Sequence, residues 1–105
     1  MTDDKEQKEK VEKKESDKLP EATFAQLVFL LGAGAMQQLG IVPNPLSGKN
    51  EIDLQVAKFS IDLLSVLQEK TKSNLSDKEN KMLEDLLFDL RMRYVNAVQE
   101  KKNKT

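Results

Sequence analysis

Hydrophobic positions recur every three to four residues in three segments of the chain, which is the spacing of amphipathic α-helices. Two breaks rich in proline, glycine, serine and asparagine separate these segments, and none of them alternates apolar and polar residues as a strand would. The pattern predicts an all-α fold, a three-helix unit in which a helical hairpin follows an apolar first helix.

The first helix is predicted to start at Thr23, because Thr23 and Gln26 have the spacing of a capping box, and to end at Gly40. The sequence has no charged residue between Glu21 and Lys49, although a surface helix normally carries a charged stripe. We therefore expect this helix to be covered on most sides, in part by a second copy of the chain. The residues expected at the self-association surface are Phe24, Leu27, Val28, Phe29, Leu31, Gly32, Ala35 and Met36.

A connector at 40–48 contains two prolines and cannot be helical. The second helix is predicted to start near Asn50, a good N-cap residue, with Asp53 in its first turn. It is predicted to stop at Ser73 and Asn74, with Asn74 as the residue that tolerates the left-handed conformation. Two neighbouring apolar rows follow this helix, one of Ile52, Val56, Phe59, Leu63 and Val66, the other of Leu54, Ala57, Ile61 and Leu64.

The third helix is predicted to open with a capping box formed by Ser76 and Glu79. We expect it to fray after Gln99, where lysines continue without apolar support. Its apolar arc is wider than one packing seam requires. The predicted core row is Leu83, Leu87, Leu90, Tyr94 and Val98, and the arc is widened by Leu86, Phe88, Met92 and Val95.

The charged ends of the chain bound the predicted domain. Residues 1–18 are almost all charged or polar and cannot bury enough apolar surface to fold, so we expect a disordered arm. The three-helix domain is assigned to 19–100, and 101–105 form a frayed basic tail. A domain of about 85 residues is only marginally stable as a monomer.

The 105-residue chain contains no cysteine and no histidine. It therefore cannot form a disulfide or a thiolate zinc site, and it lacks the commonest general base. We expect no enzyme activity, no metal and no cofactor. Self-association is the remaining way to stabilise so small a core, and a homodimer is the commonest closed assembly.

Three further features have structural interpretations. The Gly32–Ala35 run resembles a phosphate-binding loop only superficially, because the third glycine and the preceding strand are missing; close helix packing explains it better. Asp62 and Arg91 lie near apolar rows on different helices and are expected to pair between them, with Tyr94 nearby. Asp89 and Arg93 are expected to form an ion pair within one helix. These positions suggest helix registry, not catalysis.

The charge pattern argues against nucleic acid as a partner, since the net charge is −1 and the two signs are mixed along most of the chain. Membrane insertion of the first helix is also disfavoured, because it contains three glutamines and has no flanking basic cluster. No apolar signal-peptide core stands near the N-terminus, so a cytoplasmic location is expected.

A set of residues from Phe24 to Val95 carries a family resemblance. The matching positions are Leu39 to Pro45, Gly48, Ala57, Ile61 to Leu64, Glu69 to Lys72, Asn74, Leu75, Leu90, Arg91, Tyr94 and Val95. Together they resemble the bacterial family known as domain of unknown function 1844. The family usually has glycine where Ser73 stands here. The resemblance implies a small helical cytosolic protein, and it carries no established activity or substrate.

The sequence supports three hypotheses about function. The first is a non-catalytic structural or adaptor protein that acts through homo-oligomerisation, with a dimer favoured. The second is a regulatory module that binds an amphipathic helix of another, unidentified protein. The third is a membrane-peripheral protein that uses its first helix.

Overall fold

The computed structural model describes Leu19 and residues 21–104. This part of the chain forms three helices, α1 (Phe24–Gln38), α2 (Leu54–Lys70) and α3 (Asp77–Lys104). Its only paired extended backbone is an isolated antiparallel bridge between Leu39 and Ile52. The all-α prediction is confirmed, and the predicted arm at 1–18 lies outside the described residues.

Both predicted ends of α1 are confirmed. At its start, the Thr23 hydroxyl accepts a hydrogen bond from the Gln26 backbone N–H over 3.1 Å. At its end, Gly40 has a φ of +78°, and the N–H of Ile41 donates to the carbonyl of Met36 over 3.0 Å. This is a Schellman turn, in which a glycine in the left-handed conformation closes the helix.

The start of α2 lies later than predicted. Asp53 is its N-cap, and the predicted cap, Asn50, instead donates its side-chain amide to the carbonyl of Gly40 over 2.9 Å. The intervening backbone cannot be helical because Ile52 pairs with Leu39 in the bridge. A tertiary contact therefore sets where this helix begins.

The end of α2 also differs from the prediction. The residue in the left-handed conformation is Ser73, with a φ of +70°, and not Asn74. The N–H of Asn74 donates to the carbonyl of Thr71 over 2.9 Å, which makes 71–74 a four-residue turn. Ser73 occupies the third position of that turn, where a positive φ is characteristic of a type II turn.

The capping box at the start of α3 is confirmed in both directions. The Ser76 N–H donates to the Glu79 carboxylate over 2.9 Å, and the Glu79 N–H donates to the Ser76 hydroxyl over 3.2 Å. The expected fraying after Gln99 is not seen, since the helix continues to Lys104. Glutamate and lysine are good helix formers, so an existing helix propagates through them at little cost.

The core lies where the three helices meet, and every fully buried side chain in the described residues is apolar. On α2 the structure separates the two apolar rows, because Ala57, Ile61 and Leu64 point inward while the row containing Phe59 points outward. The small Ala57 lets α2 approach its neighbours closely. The remaining members of the core are Val28, Ala35, Leu39, Leu83, Leu87 and Leu90.

Candidate interaction surface

The inner face of α1 packs within its own chain. Val28, Gly32 and Ala35 are buried, so these three members of the predicted self-association surface cannot contact another copy. Gly32 faces Leu86 of α3, and a Cβ at Gly32 would lie 2.9 Å from a methyl carbon of that leucine. The close-packing interpretation of the glycine run is thus correct for Gly32, but the partner helix belongs to the same chain.

Three further residues of the predicted surface are only partly available. Phe24, Leu31 and Met36 are half-buried and pack against the core. A helix that packs against two neighbours covers one face completely and the flanks partly. This explains why the prediction, which treated the whole circumference of α1 as one surface, included residues that the chain itself covers.

The outer face of α1 is apolar and open to solvent. Phe29 is 69% exposed, Leu30 70% and Leu27 45%, and Ala33 is exposed between them. We call Leu27, Phe29, Leu30 and Ala33 the outer α1 surface. Leu30 was missing from the predicted set, and its position opposite the row of Val28, Gly32 and Ala35 on a helical projection could have identified it.

A second glycine, Gly34, lies beside the outer α1 surface and has no packing reason within the described chain. The nearest atom to a Cβ placed on it would be the side-chain nitrogen of Gln38, at 3.9 Å. Glycine inside a helix is about 1 kcal/mol less favourable than alanine. Nothing in the described residues therefore requires glycine at this position.

An apolar groove runs between α1 and α3, next to the outer α1 surface. Its volume is about 210 Å³, and its walls offer almost no polar atoms. We call it the α1–α3 groove. It is lined by Val28, Phe29, Gly32, Ala33, Met36, Met82 and Leu86.

Two more apolar rows point to solvent on the other helices. The first lies on α2 and the second on α3, which agrees with the expectation that both helices have wider apolar arcs than one seam needs. Large exposed apolar patches mark sites of protein contact. The α2 row comprises Val56, Phe59, Leu63 and Val66, and the α3 row comprises Phe88, Met92 and Val95.

The predicted ion pair between Asp62 and Arg91 does not form. Asp62 accepts instead from Lys58 of its own helix over 2.8 Å, and Arg91 donates to the Ser65 hydroxyl across the α2–α3 contact. Ser65 is partly buried, whereas Asp62 is exposed and already paired with Lys58. Arg91 does connect two helices, but with a neutral partner.

The charges near this contact are solvent-exposed. The hydrogen bond with Asp62 and the negative charge of Asp62 raise the pKa of Lys58, and Tyr94 acts weakly in the same direction. Tyr94 itself is half-buried against the core.

The predicted pair of Asp89 and Arg93 is confirmed at 2.8 Å. Such exposed pairs contribute little to stability.

Comparison with known proteins yields one match. A family described as Domain of unknown function (DUF1844) matches residues 21–96, which include α1, α2 and most of α3. No curated protein and no solved structure matches the chain. None of the helices in the described residues is both long and apolar enough to cross a membrane.

Proposed function

The chain belongs to the DUF1844 family, and we propose that it is a non-catalytic structural or adaptor module that binds a second copy of itself through the outer α1 surface. The observation that carries this proposal is the exposure of Phe29 and Leu30 on a helix without any charged residue. Exposing these side chains to water is unfavourable, and a second copy removes that cost.

The absence of charge on α1 favours a second copy over an unrelated partner. At a two-fold axis a surface meets itself, so every charge near the axis faces a like charge. The polar residues of α1 are neutral glutamines, which can donate and accept hydrogen bonds with their own copies. Neither α2 nor α3 combines exposed apolar residues with freedom from charge in this way.

The available area also suits a dimer. Leu27, Phe29 and Leu30 together expose on the order of 300 Å² of side chain, taking roughly 150 to 250 Å² for a large apolar residue. A standard interface buries about 800 Å² per partner, of which a little more than half is apolar. The adjoining α1–α3 groove adds further apolar area, so these residues supply most of the apolar part of a standard interface.

Gly34 also favours a dimer in which two α1 helices cross each other. A glycine beside Ala33 on an exposed helix face lets the backbone of a second helix come close. The crossing point of two α1 helices is then near Ala33 and Gly34, with Leu30 packed on one side of it.

The test is the mass of the protein in solution, measured by light scattering after size exclusion over a wide dilution range. The wild type is expected to have at least twice the chain mass, and Leu30→Glu is expected to lower that mass, because its carboxylate would be buried opposite its own copy. Gln55→Glu is the matched control, since it adds the same charge at an exposed position of α2. Helical circular dichroism should be unchanged in both variants.

Two results would contradict the proposal. One is a wild type that remains monomeric at the highest concentration measured. The other is an assembly whose mass Leu30→Glu does not lower, because the outer α1 surface would then not be a contact.

The α1–α3 groove favours a second candidate function, a regulatory module that binds an amphipathic helix. Two of its residues, Met36 and Met82, are flexible methionines, which are common in grooves that accept varied helices. In this case the isolated protein is monomeric and binds a hydrophobic dye. Ala33→Trp, which fills the groove from its rim, should then abolish dye binding, whereas Gln55→Trp should not.

A further inference from the structure

The outward side of α3 carries an unpartnered apolar row. Phe88 is 68% exposed, Met92 51% and Val95 54%. They are spaced four and three residues apart, which is the a/d spacing of helices that pack side by side over a long contact. The core row of the same helix, with Leu87 and Leu90, lies on the opposite side.

Acidic residues predominate in the first half of α3 and basic residues in the second half. Five acidic and two basic side chains precede Arg91, and from Arg91 onward the helix has five basic side chains and one acidic one. The helix dipole favours such an arrangement only in the first and last turns. It does not explain Glu84 and Asp89, or Arg91 and Arg93, which lie in the middle of the helix.

We propose that α3 of a second copy packs antiparallel on Phe88, Met92 and Val95, with the two-fold axis near Met92. In that orientation the acidic half of each helix faces the basic half of its partner. Of the two arginines beside the axis, Arg93 is paired with Asp89 and Arg91 donates to Ser65 of α2, so neither has to face its own copy. A parallel pair would place acid against acid and base against base, at a cost that grows with each charge. The charge division therefore selects both the partner, which is a second copy, and its orientation.

The position of the axis follows from the apolar row. Asp85 and Gln99 lie equally far from Met92 along α3, so an antiparallel pair brings Asp85 of one copy beside Gln99 of the other. Glu84 and Lys102 are both exposed and lie beside the row of Phe88, Met92 and Val95, so they come from opposite helices to the same end of the contact. The ion pairs of Lys81 with Asp85 and of Asp89 with Arg93 lie within one helix and need not break.

This contact uses a different helix from the outer α1 surface and does not depend on it. With both contacts, two dimers join into a larger assembly. With the α3 contact alone, the protein is still a dimer. The two proposals can therefore fail separately.

Cysteine crosslinking tests the orientation, since the natural chain has no cysteine. Asp85→Cys and Gln99→Cys proteins, one of them carrying a mass tag, are mixed and mildly oxidised, and the products are separated without reductant. The expected product is the mixed disulfide, formed at least tenfold more than either homodimer, while Met92→Cys alone links to itself. Gln55→Cys, at an exposed position of α2, sets the background. Predominant 85–85 and 99–99 homodimers, or no product above that background, would overturn the proposal.

Charge exchange gives an independent measurement in a Leu30→Glu background, which removes the contact proposed for α1. Glu84→Lys and Lys102→Glu should each weaken the remaining association at least fivefold, and the double variant should restore it, because the pair is exchanged. Raising the salt concentration should weaken association of the unexchanged protein. A Leu30→Glu protein that is monomeric and forms no crosslink would exclude the α3 contact and leave the α1 proposal standing.

Discussion

Gly32 and Leu86 are in such close contact that a Cβ on the glycine would lie 2.9 Å from a methyl carbon of the leucine, whereas a Cβ on Gly34, two residues further along α1, would meet only the Gln38 side chain, at 3.9 Å. The two glycines of one short run thus have different environments. The first allows α1 and α3 to approach, and the second has no role within the described chain. Alanine substitutions at the two glycines therefore distinguish packing of α1 within its own chain from packing of α1 against a second copy.

Gly34→Ala should stabilise the monomer by about 0.5 to 1 kcal/mol, since alanine is the better helix former and meets no obstacle there. The same change should weaken the dimer, because a methyl group would separate the two α1 helices. Urea unfolding and light scattering, each over a dilution series, measure the two effects. Gly32→Ala is the control: its gain in helix propensity is offset by displacement of Leu86. A tighter dimer in Gly34→Ala would argue against close approach at this position.

The turn after α1 offers a second matched pair. Gly40 has a φ of +78°, and a Cβ there would lie 2.5 Å from Cγ1 of Ile52. Gly48 has a φ of +72°, and among the described residues, its two chain neighbours aside, none has an atom within 4 Å of its Cβ position. Gly48→Ala should therefore lower the free energy of unfolding by about 1 kcal/mol through backbone strain alone. Gly40→Ala should lower it by about 2 to 4 kcal/mol, because it also displaces Ile52 from its bridge with Leu39.

Equal losses in the two variants, measured by chemical denaturation, would show that the contact between Gly40 and Ile52 contributes nothing. Ile52→Ala in the Gly40→Ala background provides a check. Removal of the obstructing side chain should recover part of the loss.

Ser73 is the only residue other than glycine that has a positive φ in the described chain. Ser73→Gly should raise the free energy of unfolding by about 0.5 to 1 kcal/mol, because glycine adopts this conformation without the steric penalty of a Cβ. Asn74→Gly should not stabilise the protein, since its backbone needs no such freedom. A thermal unfolding midpoint that rises in both variants, or in neither, would contradict the assigned turn.

Local sequence signals were sufficient where neighbouring residues decide the structure. The caps at Thr23 and at Ser76 with Glu79 follow from side chains that bond to the backbone three residues away, and both were predicted. The start of α2 was not, because the bridge from Leu39 to Ile52 delays it. That bridge depends on how α1 and α2 pack, which no local pattern records.

The candidate surface was predicted in part for the same reason. The absence of charged residues predicts that α1 is covered on most sides, but it does not show which side faces its own chain. The predicted self-association set therefore contains both Phe29, which is exposed, and Val28, which is buried. Arg91 was expected to meet Asp62 and instead meets Ser65, because a shift of one helical turn changes which side chain is within reach.

The sequence also does not show which of the two apolar rows of α2 is buried, and these rows provide the last prediction. Both rows have helical spacing, and only the packing reveals that Leu64 is fully buried while Phe59 is 62% exposed. Leu64→Ala should therefore lower the free energy of unfolding by about 2 to 5 kcal/mol, since it leaves a cavity in the core. Phe59→Ala removes a larger side chain but should change the stability of the monomer by less than about 1 kcal/mol, because that side chain stays mostly in water. Denaturation at low concentration, where any assembly has dissociated, makes the comparison. A larger loss in Phe59→Ala than in Leu64→Ala would mean that α2 is turned the other way about its axis.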